Sequence, residues 1–236
     1  MPETPLDPDE ALRARARALG LGELGLSTEG RPLWARRFGG AGPAVLVVGG
    51  VHGDEPASVE AALALGARLA AGPPAAPVFL LPALNPDGLA RGSKNSARDV
   101  DLNRNFPAAN FRVEHAPGYF PGERPLSEPE TRALAGVVED ERIVAVVAVH
   151  APFACVNYDG PAAGWAQEVA AACGWPARAD IGYPTPGSLG SWLGVDRGLP
   201  VLTLELPAGV YPSFRARADA ALNEAIRARN HARTAE

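Results

Sequence analysis

Two apolar runs that each lead to a histidine most constrain how this chain can fold. Residues 44–50 (AVLVVGG) are followed closely by His52, and residues 143–149 (IVAVVAV) lead directly into His150. Short, uninterrupted apolar runs rich in Val are typical of strands buried on both faces, as in the parallel sheets of α/β proteins. Open sheets of this kind bind ligands beyond the carboxyl ends of their strands. We therefore expect both histidines to meet at one edge of a sheet.

A carboxylate accompanies the first histidine. Glu55 lies three residues after His52, on a predicted loop that turns into a helix beginning at Pro56. This spacing lets one imidazole and one carboxylate point at a common position, and His150 would complete the set. Two His and one Glu are the ligands of a catalytic zinc site whose fourth position stays open for water. The alternative is a solvated His52, with Glu55 as an acidic residue at a helix start.

Length and charge limit the fold and the partners. A chain of 236 residues can form one α/β domain with a sizeable core. Because the candidate site spans residues 52–205, we expect residues 1–236 to be a single domain, with residues 1–28 as an N-terminal extension containing a helix. The net charge of −5, without a basic cluster near any motif, argues against nucleic acid as a partner. No apolar run is long enough for a membrane span, so no membrane partner is expected.

The N-terminus and the cysteines bear on the compartment. The first ten residues are acidic and rich in proline, without the basic start and apolar centre of a signal peptide. Cys155 and Cys173 are not part of a C-x-x-C motif, so we expect both to be reduced core residues and neither to bind zinc. These features predict a cytoplasmic protein. The sequence leaves its oligomeric state open.

Helix and strand signals alternate along the chain, the pattern of a mixed, mostly parallel sheet flanked by helices on both faces. Helices are predicted over residues 9–19, 56–71, 127–140, 161–173 and 213–230. Strands are predicted over residues 33–38, 44–48, 77–81, 143–149 and 201–204. Ser127 and Glu130 have the spacing of a capping box, which predicts a helix start at Ser127. Residues 85–119 have little apolar periodicity, and a stretch this long and irregular tends to be functional.

Several separated motifs resemble those of one enzyme family and occur in its order. They are residues 52–55 (HGDE), 84–88 (LNPDG), 101–107 (DLNRNFP), His150 and residues 203–206 (TLEL). The chain resembles the zinc carboxypeptidases of the carboxypeptidase A type, and within them the bacterial murein peptide amidases. The resemblance covers about residues 30–207. It implies an α/β fold and one zinc ion per chain, held by His52, Glu55 and His150.

The resemblance also implies roles for residues outside the metal site. Glu205 matches the general base of the family, and Asn103 and Arg104 match the residues that bind the substrate's terminal carboxylate. Tyr183 matches the tyrosine that closes over the substrate. An arginine that stabilises the oxyanion usually lies seven residues before the first Asp of the DLNRNFP run, where this chain has Lys94.

Lys94 departs from the family pattern, and it is the only lysine in the chain. A lone lysine at a site position, in a chain that otherwise uses arginine, favours an ammonium with a function. The alternative is a solvated loop lysine, in which case Arg91 or Arg98 is close enough in sequence to stabilise the oxyanion. Arg104 has an alternative too, an ion pair with a nearby loop acid such as Asp99 or Asp101.

The resemblance favours a zinc-dependent amidase or peptidase that cleaves an amide next to a free carboxylate in a small peptide. Its most specific form cleaves the γ-D-glutamyl to diaminopimelate bond of murein peptides recycled in the cytoplasm. One alternative is an N-acyl amino acid deacylase of the aspartoacylase and succinylglutamate desuccinylase type. The other is a non-catalytic peptide-binding relative, against which Glu205 argues. Leu189 is expected in the specificity pocket, but no polar partner for a diaminopimelate side chain can be named.

Overall fold

The structure is a computed structural model that describes residues 8–234. Its strands are β1 Gly22–Leu26, β2 Pro32–Phe38, β3 Ala44–Val48, β4 Val78–Leu81, β5 Ile143–His150, β6 Phe153–Asp159, β7 Ala177–Arg178 and β8 Val201–Pro207. Its α-helices are α1 Pro8–Ala18, α2 Pro56–Ala71, α3 Pro86–Arg91, α4 Pro129–Asp140, α5 Ala163–Cys173 and α6 Arg215–Thr234. A π-helical segment spans Gly190–Asp196. Over this range, no helix combines the length and the apolarity needed to cross a membrane.

The strands form one mixed sheet in the order β1-β2-β4-β3-β5-β8-β6-β7. Parallel pairing joins β3 to β4, β3 to β5, β5 to β8 and β6 to β7. Antiparallel pairing joins β1 to β2, β2 to β4 and β6 to β8. The predicted mixed and mostly parallel sheet is therefore confirmed, and its centre is the parallel trio β3, β5 and β8.

Helices cover both faces of the sheet, as predicted. On one face, Val45 and Val147 pack in a core that includes residues of α2, α5 and α6. On the other face, Leu46 and Val146 pack with α4 and with Trp192 of the π-helical segment. Successive residues of a strand point to opposite faces, so a strand covered on both sides must be apolar throughout. This is why every residue of β3 is buried.

The predicted elements agree best with the structure where apolar periodicity is strong. The bounds of α2 and β3 are those predicted, and α1, α5, β2 and β4 differ by one or two residues at an end. Two strands run further than predicted, so that His150 and Glu205 lie within β5 and β8. The last helix, α6, begins two residues later and continues to Thr234. The sequence did not predict β1, β6, β7 or α3.

The predicted capping box at the start of α4 is wrong. The helix begins at Pro129, and its N-cap is Glu128, whose side chain makes no capping hydrogen bond. Ser127 Oγ instead donates to Glu128 Oε1 at 2.9 Å. The difference has a physical reason, because a proline disfavours helical backbone in the residue before it. The extended backbone of Glu128 follows from that restriction.

Candidate metal site and substrate cleft

His52, Glu55 and His150 converge where the neighbouring strands β3 and β5 end. Each offers one ligand atom, and these atoms all lie within 4.8 Å of one another. Glu55 Oε1 lies 2.8 Å from His52 Nδ1, and Glu55 Oε2 lies 3.1 Å from His150 Nδ1. Two imidazole nitrogens and one carboxylate are a donor set that zinc accepts. The three residues therefore fit a zinc ion.

A close approach of two backbone segments holds the loop that carries His52 and Glu55. A side chain on Gly53 would place its Cβ 2.0 Å from the backbone of Gly88 in α3. Gly53 N also donates to Lys94 O at 3.2 Å. Only glycine leaves room for this contact. The irregular region, which also lines the cleft, therefore packs against this loop and restricts its position.

Asp101 orients His52 from the side opposite Glu55. Asp101 is fully buried, and its Oδ1 lies 3.1 Å from His52 Nε2. Histidines that bind metals commonly donate their second ring N–H to a carboxylate, which fixes the tautomer and the ring orientation. The sequence analysis considered Asp101 only as an ion-pair partner of Arg104 and missed this contact. Its place at the head of the DLNRNFP run was the available signal.

Burial and hydrogen bonding act in opposite directions on these residues. Burial alone would lower the pKa of His52, but its hydrogen bonds to Asp101 and Glu55 outweigh burial and raise the pKa to about 9. Burial alone would raise the pKa of Glu55, but His150 and His52 lower it to about 2. The lowered pKa favours the ionised form of Glu55, which is the form of a carboxyl group that binds metals.

Glu205 lies beside His150 on the next strand. The two residues are register partners in the parallel pairing of β5 with β8. The Glu205 side chain is buried, and its Oε2 has no hydrogen-bond partner among the described residues. Burial raises its pKa. Because an unpaired buried carboxylate is costly, its place next to the metal site points to a chemical role.

A cleft of about 170 Å³ extends from the metal site. The sequence-predicted residues that line it are His52, Glu55, Lys94, Asn103, Arg104, His150, Tyr183, Leu189 and Glu205. The structure therefore brings together all the residues that the sequence analysis placed at the site. These residues are as far apart in sequence as 52 and 205, and the sheet and the irregular region 85–119 bring them together in space.

Lys94 reaches the cleft from that irregular region. Its Nζ lies 2.7 Å from Asp101 Oδ2 and 3.6 Å from the ring centre of Tyr119. Arg91 and Arg98 lie near acidic residues elsewhere and do not line the cleft. Of the three basic residues considered for the oxyanion, Lys94 is the one that faces the site.

Arg104 is buried at the cleft wall and held by backbone contacts. Its Nη1 donates to Asn103 O at 2.7 Å, and its guanidinium carbon lies 5.3 Å from the ring centre of Tyr119. Asn103 Oδ1 accepts a hydrogen bond from Leu189 N at 3.0 Å, which ties this wall to the segment before the π-helix. Among the described residues, Arg104 has no acidic ion-pair partner, so the alternative pairing with Asp99 or Asp101 is not found.

Three half-exposed aromatic side chains also line the cleft. Tyr119, Phe153 and Tyr183 are 37%, 43% and 38% exposed. The ring centre of Tyr183 lies 6.5 Å from that of Tyr119 and 6.2 Å from that of Phe153. The sequence pointed to Tyr183 alone, because Tyr119 lies in the irregular region and Phe153 begins the unpredicted strand β6.

Polar side chains from β6 and β8 complete the cleft. Asn157, Asp159 and Thr203 line it, together with Ser188 and Gly190 from the segment that leads into the π-helix. Asn157 and Thr203 are register partners in the antiparallel pairing of β6 with β8. The sequence analysis missed Asn157 and Asp159 because it did not predict β6, which mixes polar and apolar residues.

Similarity to known proteins agrees with this geometry. The model of the zinc carboxypeptidase family matches residues 10–163, which include His52, Glu55 and His150. Murein peptide amidase A of Escherichia coli strain K12 is 35% identical over 196 residues, covering 78% of this chain and 79% of the relative. Murein peptide amidase A of Vibrio campbellii is 35% identical over 176 residues, covering 69% of this chain and 68% of the relative.

Solved structures share the fold. The crystal structure of murein-tripeptide amidase from Escherichia coli O157 has a TM-score of 0.73 and 29% identity, covering 88% of this chain and 91% of that one. Carboxypeptidase A from Helicoverpa armigera has a TM-score of 0.76 and covers 96% of this chain and 73% of that one, with a 20% identity that shows the fold alone. With a family model matching over half its length and a relative 35% identical across most of it, this chain belongs to the zinc carboxypeptidase family and is a hydrolase.

Proposed function

We propose that this protein is a zinc-dependent amidase that cleaves an amide bond next to a free carboxylate in a small murein peptide. The observation that carries the proposal is one cleft lined by a metal-ligand set and by the guanidinium of Arg104. A group that binds a carboxylate and a site that hydrolyses an amide can then act on adjacent parts of one substrate. The bond that the resemblance implies is the one between γ-D-glutamate and diaminopimelate.

We propose that one zinc ion per chain is held by His52, Glu55 and His150. When bound, such an ion activates water and polarises the substrate carbonyl. The residues of the chain supply the remaining steps. Glu205 would take a proton from the attacking water and pass it to the leaving amine. Its buried, unpartnered Oε2 supports this role, because the oxygen is not committed to another residue.

Residues of the cleft wall would position the substrate. Arg104 can bind the carboxylate of the leaving residue with two parallel hydrogen bonds, assisted by the Asn103 side chain. Lys94 can place its ammonium beside the oxygen that becomes negative in the transition state. Tyr183 can close over the bound peptide, because its ring is half-exposed at the cleft.

His150→Ala is expected to weaken zinc binding. The loss of one imidazole should lower zinc affinity by at least about 10- to 100-fold, which is the effect of changing a residue that only supports a metal ligand. Metal analysis after dialysis against a zinc buffer measures the effect. His115→Ala is the matched control, because His115 is exposed in a loop outside the cleft. Stoichiometric zinc at parental affinity in His150→Ala would exclude the proposed ligand set.

Arg104→Ala is expected to remove recognition of the terminal carboxylate. The parent should cleave the free acid form of a peptide better than its amide, because each charged hydrogen bond contributes about 1.5 to 3 kcal/mol. Arg104→Ala should erase that difference in kcat/KM, whereas Arg17→Ala, on the exposed face of α1, should preserve it. Equal cleavage of both forms by the parent would contradict the proposed function.

We further propose that residues 1–236 act as one catalytic domain in the cytoplasm, in the recycling of peptidoglycan peptides. The sheet that carries the site supports one domain, because its strands come from both halves of the chain. Cys155 and Cys173 are buried and unpaired, as expected in a reducing compartment. The deacylase alternative is not favoured, because the relatives that match are amidases and carboxypeptidases.

A further inference from the structure

Tyr119 is an aromatic residue of the cleft to which the proposed function assigns no role. The centre of its ring lies 3.6 Å from Lys94 Nζ and 5.3 Å from the guanidinium carbon of Arg104, and both are cation–π distances. Among the described residues that line the cleft, Lys94 and Arg104 are the only side chains with a permanent positive charge. One ring therefore contacts both permanent cations of the cleft.

The backbone on either side of Tyr119 is held by residues of the same site. Gly118 O accepts a hydrogen bond from Lys94 Nζ at 3.1 Å, and Phe120 O accepts one from Asp101 N at 2.8 Å. Asp101 Oδ2 in turn lies 2.7 Å from Lys94 Nζ. Because both neighbours of Tyr119 are anchored in this way, backbone contacts restrict where its ring lies relative to the ammonium.

The contacts of Lys94 hold its ammonium without using all of its donors. Lysine has three N–H donors at the end of a flexible four-carbon stem. Two of them have acceptors in Asp101 Oδ2 and Gly118 O. The face of an aromatic ring attracts a cation through its quadrupole and needs no directional hydrogen bond. Tyr119 can therefore restrict the ammonium while one N–H donor remains for a substrate oxygen.

The ring also acts on the two cations as a pair. Positive groups beside one ring repel each other, and water screens that repulsion poorly in a cleft where Arg104 is buried. The negative face of the ring attracts each cation and offsets part of the repulsion. An aliphatic side chain in the same place would fill the space but would not attract a cation.

We propose that Tyr119 is a positioning residue, whose ring holds the ammonium of Lys94 where the oxyanion forms and stabilises it beside the guanidinium of Arg104. This inference rests on the proposed function, in which Lys94 stabilises the oxyanion and Arg104 binds the substrate carboxylate. The role belongs to the aromatic ring and not to the hydroxyl group. Phenylalanine should therefore replace Tyr119, whereas leucine, which has no ring, should not.

The contact between ring and ammonium can be tested without zinc or substrate, because Lys94 is the only lysine in the chain. Isotope labelling of lysine at Cε then gives the NMR signal of this side chain alone. The ring current shifts protons near the face of a ring upfield. The Hε signals of Lys94 should therefore lie upfield in the parent and in Tyr119→Phe, and should return to the usual position for lysine in Tyr119→Leu.

The matched control is Tyr158→Leu. Tyr158 packs against the core on the face of the sheet that carries α2, α5 and α6, and it does not line the cleft. The same chemical change there should leave the upfield position of the Lys94 signals and the kinetics of the enzyme unaltered. A loss of the upfield shift in Tyr119→Leu alone would therefore come from the ring of Tyr119.

Steady-state kinetics of the zinc-loaded enzyme tests whether the contact serves the reaction. Tyr119→Leu should lower kcat by about 3- to 30-fold, the effect of one cation–π contact, and Tyr119→Phe should retain most of the parental value. The preference for the free acid of a peptide over its amide should fall by about 2- to 5-fold in Tyr119→Leu, because Arg104 loses a more distant contact. In a Lys94→Ala background, Tyr119→Leu should lower kcat little further.

Three results would overturn the inference and leave the proposed function intact. They are Lys94 signals that do not move in Tyr119→Leu, parental kcat in that variant, and an equal loss of kcat in Tyr119→Phe, which would assign the role to the hydroxyl group. A zinc-loaded parent that cleaves no amide next to a free carboxylate contradicts the proposed function instead. The NMR signals then decide alone whether the ring holds the ammonium.

Discussion

Replacing Glu205 with Gln is expected to lower kcat by about 10²- to 10⁴-fold, the usual contribution of a general base. Gln has the shape of Glu but cannot accept the proton of the attacking water. Zinc content and the affinity for a substrate analogue should stay at parental values, because Glu205 is not among the residues proposed to hold the metal or the terminal carboxylate. Steady-state kinetics with the free acid peptide, together with metal analysis, separates these effects.

The control for this variant is Glu168→Gln. Glu168 is an exposed residue of α5 outside the cleft, so the same chemical change there should leave kcat unaltered. If Glu205→Gln kept turnover within a few-fold of the parent while Glu168→Gln behaved as expected, another residue would have to serve as the base. The raised pKa of Glu205 would then reflect burial without a chemical role.

Replacing Lys94 with Ala is expected to lower kcat and kcat/KM together by about 10²- to 10³-fold, as when one oxyanion donor is removed. The ammonium would act mainly on charge that develops in the transition state, so substrate binding should change little. Lys94→Arg should recover much of the loss, because it retains the charge. Since Lys94 also contacts Asp101, zinc content must be measured alongside the kinetics.

Arg91→Ala and Arg98→Ala serve as controls for Lys94. Neither side chain lines the cleft, and both should show parental kinetics. Near-parental kinetics in Lys94→Ala, with zinc fully bound, would remove Lys94 from the mechanism. A large loss in either arginine variant would move the role to that residue and would require the loop around it to differ from the structure described above.

The parts of the fold that could be predicted are the elements whose local pattern of apolar residues matches their burial in the structure. The apolar residues of β3, and the apolar run of α2 between Pro56 and Gly72, gave the bounds of these two elements. The strands that were missed lie at or near the sheet edges, where one-sided exposure weakens the apolar pattern. β1 contains two glycines, and β7 is only two residues long. Their pairing depends on neighbouring strands, which a local pattern does not report.

The candidate site follows the same division. Four site residues could be found because each is a polar residue that follows or interrupts an apolar run. They are His52, Glu55, His150 and Glu205. Asn157 and Asp159 could not be found, because they lie on the unpredicted strand β6 and reach the cleft only through its pairing with β8. A residue that is placed by pairing with a strand distant in sequence leaves little trace in the surrounding sequence.

The strand pairing that aligns His150 with Glu205 also separates the residues proposed for bond cleavage from residues that shape the rest of the cleft. The residues proposed for bond cleavage lie at the ends of the central strands, whereas Asn157, Asp159 and Gly190 line the cleft from β6 and the π-helical segment. Substitutions in that outer part can change the shape and charge of the cleft without rebuilding the central strands. Duplicated copies of such a gene can therefore diverge in substrate range while retaining the same hydrolytic centre.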